Sequence, residues 1–492
     1  MIHYKQFFKE IRPILMVAFL YATPILLLNN MYYDDIGRSI YGYFSWGIDG
    51  RPLSDVIMKM LILGSPATDI SPYPQIICLI IMSLLCYMMH KQFNPSQKFG
   101  WICFTPVFLS PFFIQNIAFK FDSLVMSLSV ILAFLPIVFL KKSKINILFS
   151  TCILSLLTFS LYQASISALT SSCAIYTLVS IHNKEKLKNI IENLLCIFFG
   201  MILGYLIYSL TIIPMFVTSD YANSYNKPVS IYEIHKVYDN LKISIGVLRT
   251  YFTGIMAIVI SPYLLLAAIG FIRLIIGCIH SYKTITNKFL SSSLCILSLI
   301  VIIISIPGIG IALENMPIGP RVFIGFGFFI SSLLLMSSWA FSSLSKALPI
   351  IYSILIISMF SYMATFVSAM KSQDRMTDYI IYNLSRDIQD IGYYKVKSIT
   401  IDGKALYTPI ADKSIQKFPL MKQLIPSYFD GELAWGVVRM NEFYSGPASP
   451  SPAAHGNLIS NLCSFELIKD AGLYRIYMQD GNMIASFNFK KC

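Results

Sequence analysis

Stretches of about 20 mostly apolar residues recur along most of this chain, and they restrict its fold more than any other feature. A helix rises about 1.5 Å per residue, so about 20 residues cross a hydrocarbon layer of about 30 Å. The chain has 492 residues, of which 56% are hydrophobic and only 13% charged, whereas ordinary soluble domains carry about 25% charged residues. The sequence therefore predicts an all-α polytopic membrane domain.

The apolar stretches predict about eleven spanning helices, counted by hydropathy and length. They lie near residues 11–30, 70–90, 100–118, 123–140, 145–161, 163–181, 190–217, 245–270, 289–312, 322–341 and 347–369. The first stretch is too long for the core of a signal peptide, and we interpret it as a retained helix. Residues 145–181 form either two spans or a re-entrant hairpin, and both alternatives leave the chain ends on the same sides.

The charges in the short loops predict the orientation, because basic loops stay in the cytoplasm. Alternate loops contain fifteen basic residues and only two acids, Glu10 and Glu185. The basic residues are Lys5, Lys9, Arg12, Lys91, Lys98, Lys141, Lys142, Lys144, Lys184, Lys186, Lys188, Arg273, Lys283, Lys288 and Lys346. The opposite loops are acidic. We therefore expect a multi-pass membrane protein with a cytoplasmic N-terminus.

Residues 371–492 have a different composition and predict a second, periplasmic domain after a membrane domain of residues 1–370. Alternating segments at Tyr394–Ile401 and Tyr474–Met478, with turn signals at Asp402-Gly403 and Asp480-Gly481, indicate a soluble mixed α/β fold. Seven of the ten cysteines fall in predicted spans, and Cys278 follows shortly after one. The other two, Cys463 and Cys492, are predicted to form a disulfide in this exported domain, with two free thiols as the alternative.

The first outer loop, residues 31–69, contains the strongest candidates for chemistry. Asp34 and Asp35 follow the first span directly, where a carboxylate is wet enough to ionise and close to a lipid-borne reactant. Arg38 and Arg51 have the geometry to hold a phosphate, or else they pair with nearby acids such as Asp49 and Asp55. Apolar residues at helical spacing in 56–61 predict a helix along the membrane surface.

Further polar residues are predicted at the same membrane face, at the ends of later spans. Ionisable residues in such positions are candidates for substrate binding, although many only mark a helix end. They are Gln115, Asn116, Lys120, Asp122, Tyr162, Gln163, Glu314 and Arg321.

Several classes of protein are disfavoured by what the sequence lacks. It has no Walker loop, no dinucleotide fingerprint and no zinc-protease or serine-hydrolase motif. The net charge of +13 is spread over short loops, which fits membrane topology and anionic lipid better than nucleic acid. No cofactor is predicted, and the scattered histidines give no metal site, although a divalent ion is left open.

Four segments resemble the serotype-converting O-antigen glucosyltransferases of temperate phages and enteric bacteria. They are YYDDIGRSIYGYFSWGIDGRPLSDVIMKML at 32–61, TDISPYPQI at 68–76, SPFFIQNIAFKFDSLVMSLS at 110–129 and SLYQASIS at 160–167. The resemblance covers most of the first 180 residues and is weaker beyond them. It rests on the order and the topological placement of the segments more than on any single tripeptide.

This resemblance implies a GT-C-like membrane enzyme that takes a sugar, expected to be glucose, from undecaprenyl phosphate and transfers it to O-antigen on the periplasmic face. A donor synthase and a small flippase are the implied functional partners. In such enzymes an acidic residue of the first outer loop is the base or binds the acceptor, a position matched here by Asp34 and Asp35. We expect inversion at the anomeric carbon, with Arg38, Arg51 or Arg321 near the phosphate.

Two alternatives remain from the residues alone. A flippase or transporter of polyprenyl-linked sugars would also have many spans, but its polar residues should lie near the bilayer midplane. An O-antigen polymerase would also act on periplasmic lipid-linked sugars, but it is expected to have a large arginine-rich loop between spans, whereas this chain has its soluble domain at the end.

The orientation can be tested with reporter fusions after Lys144 and after Lys371. Because the loop at Lys144 is basic and an odd number of predicted spans lies between it and Lys371, the first fusion should report the cytoplasm and the second the periplasm. Finding both reporters in one compartment would rule out this topology.

Overall fold

The computed structural model describes residues 2–94, 97, 99–218, 220–341, 347–431, 435–442, 449 and 451–489. Over these ranges the chain is mainly helical. The helices are α1 Ile2–Leu28, α2 Asp34–Tyr41, α3 Pro52–Ile62, α4 Tyr73–Phe93, α5 Pro106–Leu109, α6 Ile114–Ala118, α7 Ser123–Val138, α8 Lys144–Leu161, α9 Ile166–His182, α10 Leu187–Ile207, α11 Ile213–Phe216, α12 Asp220–Asn226, α13 His235–Tyr251, α14 Gly254–Ser281, α15 Ile285–Ile304, α16 Gly325–Ser338, α17 Leu348–Ile391, α18 Pro409–Lys417, α19 Met421–Leu424, α20 Trp435–Met440 and α21 Pro452–Ser460.

Nine helices within the described ranges are long and apolar enough to cross a membrane. They are Lys5–Leu28, Tyr73–Phe93, Ser123–Lys141, Lys144–Leu161, Gln163–His182, Leu187–Phe216, Gly254–Ser281, Ile285–Ile304 and Leu348–Ile391. The two other predicted spans fall on shorter apolar helices, Gly100–Leu109 and Gly325–Ser338. The predicted fold class, a polytopic helical domain with a small α/β part at the C-terminus, is confirmed, and the protein is multi-pass.

The burial of these helices separates the inside of the helical bundle from its outer surface. In the most apolar 18-residue stretch of each of the helices Leu187–Phe216, Gly254–Ser281 and Ile285–Ile304, only 22%, 28% and 22% of the residues are buried by protein. In Gln163–His182 the fraction is 83%. Apolar helices that protein leaves uncovered need lipid around them, so the first three face lipid and α9 lies in the interior.

The chain divides into two compact units. The first comprises residues 1–29, 44–64 and 69–364, and the second comprises 30–43, 65–68 and 365–492. The first outer loop is therefore shared between the units, and the predicted domain boundary at residue 371 lies within α17. The predicted amphipathic stretch is helical, as part of α3, while its position along a membrane surface stays a prediction.

The second unit contains one four-stranded sheet in the order β1-β4-β3-β2. The strands are β1 Ser398–Asp402, β2 Glu466–Asp470, β3 Arg475–Gln479 and β4 Asn482–Ser486. β1 runs parallel to β4, and the other pairs are antiparallel. Asp480 and Gly481 connect β3 and β4, and both have the positive φ angles that favour this tight hairpin turn. Leu384 and Ile388 of α17 pack on Ile401 and Ile476 of the sheet.

The predicted disulfide falls partly outside the described residues. Cys463 is a disulfide-bonded cysteine, and the eight cysteines of the predicted membrane domain are free. Cys492 lies outside the described residues, so its pairing with Cys463 stays a prediction.

A buried arginine holds two parts of the second unit together. Arg439, on α20, pairs with Asp374 and with Asp378 at 2.9 Å, both on α17, and with Glu442 at 3.3 Å. Because the Arg439 side chain is only 9% exposed and that of Asp374 only 16%, removal of the guanidinium would leave the Asp374 carboxylate poorly solvated and unpaired.

We expect Arg439→Met to destabilise the second unit by about 3–5 kcal/mol, the usual effect of breaking a buried ion pair. Arg475→Met is the matched control, because Arg475 pairs with Asp470 on the surface and surface pairs contribute little. The measurement is the proteolysis rate of the C-terminal unit in the full-length, detergent-solubilised protein. Equal rates for the two variants would contradict a stabilising role for Arg439.

Candidate active site

The site in the first unit is built on a loop folded over the start of α3. The Asp55 carboxylate accepts hydrogen bonds from the backbone N–H groups of Trp46, at 3.1 Å, and Gly47, at 2.6 Å. Ser54, which is fully buried, donates to the carbonyl oxygen of Leu161 at 3.0 Å. Two neighbouring residues of α3 thus fix the loop on one side and the end of α8 on the other.

Arg51 lies in this loop between two carboxylates. Its guanidinium is 2.5 Å from an Asp49 oxygen and 3.7 Å from an Asp122 oxygen. Asp122 is almost completely buried and also accepts a hydrogen bond from the Trp46 indole at 2.7 Å. The pairing of Arg51 with Asp49 that the sequence allowed is therefore present, and Asp55 binds backbone N–H groups.

Gln163 joins this loop to two spanning helices. Its side-chain amide donates to the Asp49 carbonyl at 3.1 Å and to the Tyr208 hydroxyl at 2.9 Å. Tyr208 in turn donates to the Gly50 carbonyl at 3.0 Å. Tyr208 begins a π-helical turn, Tyr208–Ile212, inside the long span Leu187–Phe216; such turns often occur at functional sites.

Tyr162 and Arg321 complete this group of side chains. Tyr162 lies at the break between α8 and α9 with its ring 5.9 Å below the Arg51 guanidinium. The Arg321 guanidinium lies 4.5 Å from the centre of the Phe119 ring, and its backbone is held by Gln115 and Asn116. Burial raises the pKa of Tyr162, while the charges of Arg321 and Arg51 lower it in part. We call Asp49, Arg51, Asp122, Tyr162, Gln163 and Arg321 the arginine cluster.

Two other predicted binding residues pair elsewhere in the first unit. Lys120 is buried and bonds to Asp69 at 2.9 Å. Burial opposes ionisation of Asp69, but hydrogen bonds from Ser71 and Lys120 outweigh it and lower the pKa of Asp69. Their substrate contacts stay predictions.

Glu314 is the second of these residues, and it pairs with Lys227 at 2.8 Å and Lys236 at 3.0 Å. Those bonds lower the pKa of Glu314, so the carboxylate is ionised at neutral pH. A substrate role for Glu314 also stays a prediction.

Asp34 and Asp35 lie in the second unit, in the first turn of α2, where carboxylates interact favourably with the helix dipole. Asp35 is fully buried, whereas the Asp34 side chain is 38% exposed and lies 4.0 Å from Arg38. Tyr33, just before them, has a φ of 47°, an uncommon value for a residue other than glycine. Such local strain is often found at functional sites.

The C-terminal residues of the second unit hold the segment that carries these acids. Tyr428 donates to the Met31 carbonyl at 2.9 Å, and its ring packs 6.0 Å from that of Tyr33. Tyr32 donates to the Leu424 carbonyl at 2.6 Å. The acids therefore sit on a fixed element.

An apolar cavity of about 440 Å³ opens between the spanning helices of the first unit. This volume is within the range of small-molecule sites. Its lining includes Phe159 and Ile166, on either side of Tyr162-Gln163 in the chain, together with Tyr205, Val301 and Ile304. The Phe159 ring also packs 5.5 Å from Tyr208, whose hydroxyl is bonded to Gln163 of the arginine cluster, so two side chains connect the cavity to the cluster.

This arrangement is suited to an anion attached to an apolar chain. Two guanidinium groups provide charge-assisted hydrogen bonds, and the cavity beside them accepts hydrocarbon. Within the described residues, no group of three or more His, Cys, Asp or Glu side chains lies close enough together to hold a metal ion.

Sequence reasoning missed Trp46 and Tyr208 as parts of this site. Trp46 stands in the first outer loop and Tyr208 in a predicted span, and the sequence singles out neither residue. Gly50 is a sequence signal for this contact, because a glycine leaves room for another side chain to approach the loop closely. The partner is 158 residues away and follows only from the tertiary structure.

Similarity to known proteins identifies the class and the family of this chain. The model of a glucosyltransferase family, described as Glucosyl transferase GtrII, matches residues 23–332, which is more than half of the chain. The fold and this match together define a multi-pass membrane glycosyltransferase that uses a sugar donor and an acceptor. The chain belongs to the GtrII glucosyl transferase family.

One relative comes from Salmonella phage P22 and is 30% identical over 434 residues, covering 86% of this chain and 88% of its own. It is described as an uncharacterized 55.3 kDa protein in the gtrB 5' region. No solved structure matches the chain. The resemblance to serotype-converting glucosyltransferases, stated from four sequence segments, is confirmed.

The importance of the close contact at Gly50 can be tested with Gly50→Ala. A Cβ there would lie 2.5 Å from the Tyr208 hydroxyl, at a φ of 78°. The change should push Tyr208 and Gln163 away from the loop and greatly reduce glucosyl transfer. The measurement is transfer per amount of membrane-inserted protein.

Gly472→Ala is the matched control, because Gly472 has a φ of 76° and open space around it. It carries the same backbone strain of about 1–2 kcal/mol without the clash. Equal transfer by both variants would mean that the Gly50 contact is not needed.

Proposed function

We propose that this protein moves a glucosyl residue from undecaprenyl phosphate to O-antigen on the periplasmic face of the inner membrane. The observation that carries the proposal is the arginine cluster beside an apolar cavity between spanning helices. A soluble nucleotide sugar would not need that cavity, whereas a polyprenyl phosphate has both an anion and a hydrocarbon chain. The family assignment favours a transferase over a flippase or a polymerase.

The reaction is a direct displacement with inversion at the anomeric carbon. The acceptor hydroxyl oxygen attacks that carbon, and the bond from the carbon to the phosphate oxygen breaks, leaving its electron pair on the phosphate. The acceptor proton passes to a carboxylate. Arg51 and Arg321 stabilise the charge that develops on the departing phosphate.

Asp34 is the better candidate for the base, because its carboxylate reaches solvent and Asp35 is fully buried. Arg38, 4.0 Å from Asp34, orients this carboxylate. Asp35 then supports the first turn of α2. Asp34 and Asp35 therefore have different proposed roles, and substituting each one separately distinguishes them.

The donor is made on the side of the membrane where nucleotide sugars occur and used on the other side. We therefore propose that a donor synthase and a small flippase act before this protein. Membrane lipids surround the exposed apolar faces of its spanning helices.

Asp34→Asn should lower transfer by about 10²–10⁴-fold, the usual contribution of a general base, with normal membrane levels. Asp35→Asn should act mainly through folding and lower the amount of inserted protein. Both effects can be measured by mass spectrometry of O-antigen repeats together with immunoblots of the membrane fraction.

If Asp34→Asn retains near-normal transfer while Asp35→Asn abolishes it at normal abundance, Asp35 is the base. If both retain transfer, the base lies elsewhere, and Asp122 and Glu314 are the next acids to test. Glu233→Gln is the matched control, because Glu233 is an outer-loop acid in a pair with Lys236.

A further inference from the structure

Tyr162 has a buried hydroxyl group that no residue in the described part of the chain satisfies. The residue is 7% exposed, and its Oη makes no hydrogen bond. The backbone at Tyr162 is extended, at φ −159° and ψ 105°. Tyr162 therefore does not continue helix α8, which ends just before it. Leaving a buried hydroxyl without a partner costs about 1–3 kcal/mol.

Three other buried tyrosines of the first unit avoid this cost. Tyr208 donates to the Gly50 carbonyl, Tyr21 to the Leu109 carbonyl, and Tyr352 to the Leu334 carbonyl. Tyr251 resembles Tyr162 in having a buried hydroxyl with no partner. Its ring, however, packs against the aromatic rings of Phe112, Phe252 and Phe326.

Charged groups surround Tyr162. Its ring lies beneath the Arg51 guanidinium, and the charges of Arg321 and Asp122 act on its hydroxyl. Burial raises the pKa of Tyr162, so at neutral pH the group is a phenol that donates a hydrogen bond and keeps its proton. A donor beside two guanidinium groups matches an anionic oxygen.

We propose that the Tyr162 hydroxyl donates a hydrogen bond to a phosphate oxygen of the lipid-linked sugar donor, and that this bond strengthens as the phosphate departs. This inference rests on the proposed function and adds a catalytic residue to it. Tyr162 stays protonated throughout, since the acceptor proton goes to the carboxylate base. The bond gains strength because negative charge grows on the oxygen it contacts.

The position of Tyr162 in the chain, between two residues that line the cavity, supports a phosphate rather than a sugar hydroxyl as its partner. Phe159 and Ile166, three residues before it and four after it, line the apolar cavity. The phosphate is the group that joins the hydrocarbon chain to the sugar. A hydroxyl donor on the segment that joins two cavity-lining residues, with Arg51 over its ring, suits that junction.

The test uses full-length protein in lipid nanodiscs and two ligands, undecaprenyl phosphate and undecaprenol, which share the hydrocarbon chain. Tyr162→Phe should weaken binding of undecaprenyl phosphate by about 10- to 100-fold, the usual effect of losing a hydrogen bond to a charged group. Its binding of undecaprenol should not change. The turnover number for glucosyl transfer should fall, because the bond is strongest when the phosphate leaves.

Tyr251→Phe is the matched control, since it removes an equally buried and unpartnered hydroxyl from an aromatic environment. It should leave both affinities and the turnover number unchanged. If Tyr162→Phe fails to insert, 3-fluorotyrosine at position 162 keeps the ring and makes the phenol a stronger donor. Binding of undecaprenyl phosphate should then become tighter.

Unchanged binding of undecaprenyl phosphate by Tyr162→Phe, or an equal loss for both ligands, would overturn the inference and leave the proposed function standing. The proposed function fails separately, and the inference with it, if the unmodified protein binds undecaprenyl phosphate no more tightly than undecaprenol.

Discussion

The hydrogen bond from Ser54 to the carbonyl of Leu161 is the contact on which the site in the first unit depends. The last carbonyl groups of a helix have no partner within the helix, and water is scarce near a bilayer, so these groups need protein donors. Ser54 supplies one such donor for α8. It thereby fixes α3 against the break between two spanning helices, and the neighbouring Asp55 holds the backbone that leads to Arg51.

The charges around Arg51 show why this loop must be rigid. A buried or partly buried ion pair contributes little net stability, because desolvation offsets much of the attraction. Arg51 nevertheless lies between Asp49 and the buried Asp122, and Asp122 is held by the Trp46 indole. The contacts therefore orient the guanidinium rather than stabilise the fold. An oriented cation is useful where an anion must be bound in one place.

The sequence alone predicted the features that follow from local chemistry. The apolar stretches gave the positions of the spanning helices because a bilayer sets their length, and the Asp480-Gly481 turn followed from the backbone freedom of its residues. Arg51 and Gln163 were selected by residue type and loop position.

The sequence could not predict which residues would meet. The contact of Trp46 with Asp122 and that of Gly50 with Tyr208 join distant parts of the chain, and neither leaves a periodic pattern. Nor could it show that Asp35 is buried and Asp34 exposed. This difference depends on how α2 packs within the second unit, which includes residues from both ends of the chain.

The second unit contains both the segment with the acidic pair and the C-terminal part of the chain, so the C-terminal part has a structural role for that pair. Tyr428 and Leu424 bond to Met31 and Tyr32, and Asn441 donates to the Tyr41 hydroxyl at 2.8 Å, so both ends of α2 are held by residues from the last quarter of the chain. Tyr428 also lies 5.6 Å from the Arg439 guanidinium. The Arg439 ion pairs therefore support the tyrosine that holds the segment before Asp34. In this protein the C-terminal α/β part belongs to the structure that positions the acidic pair.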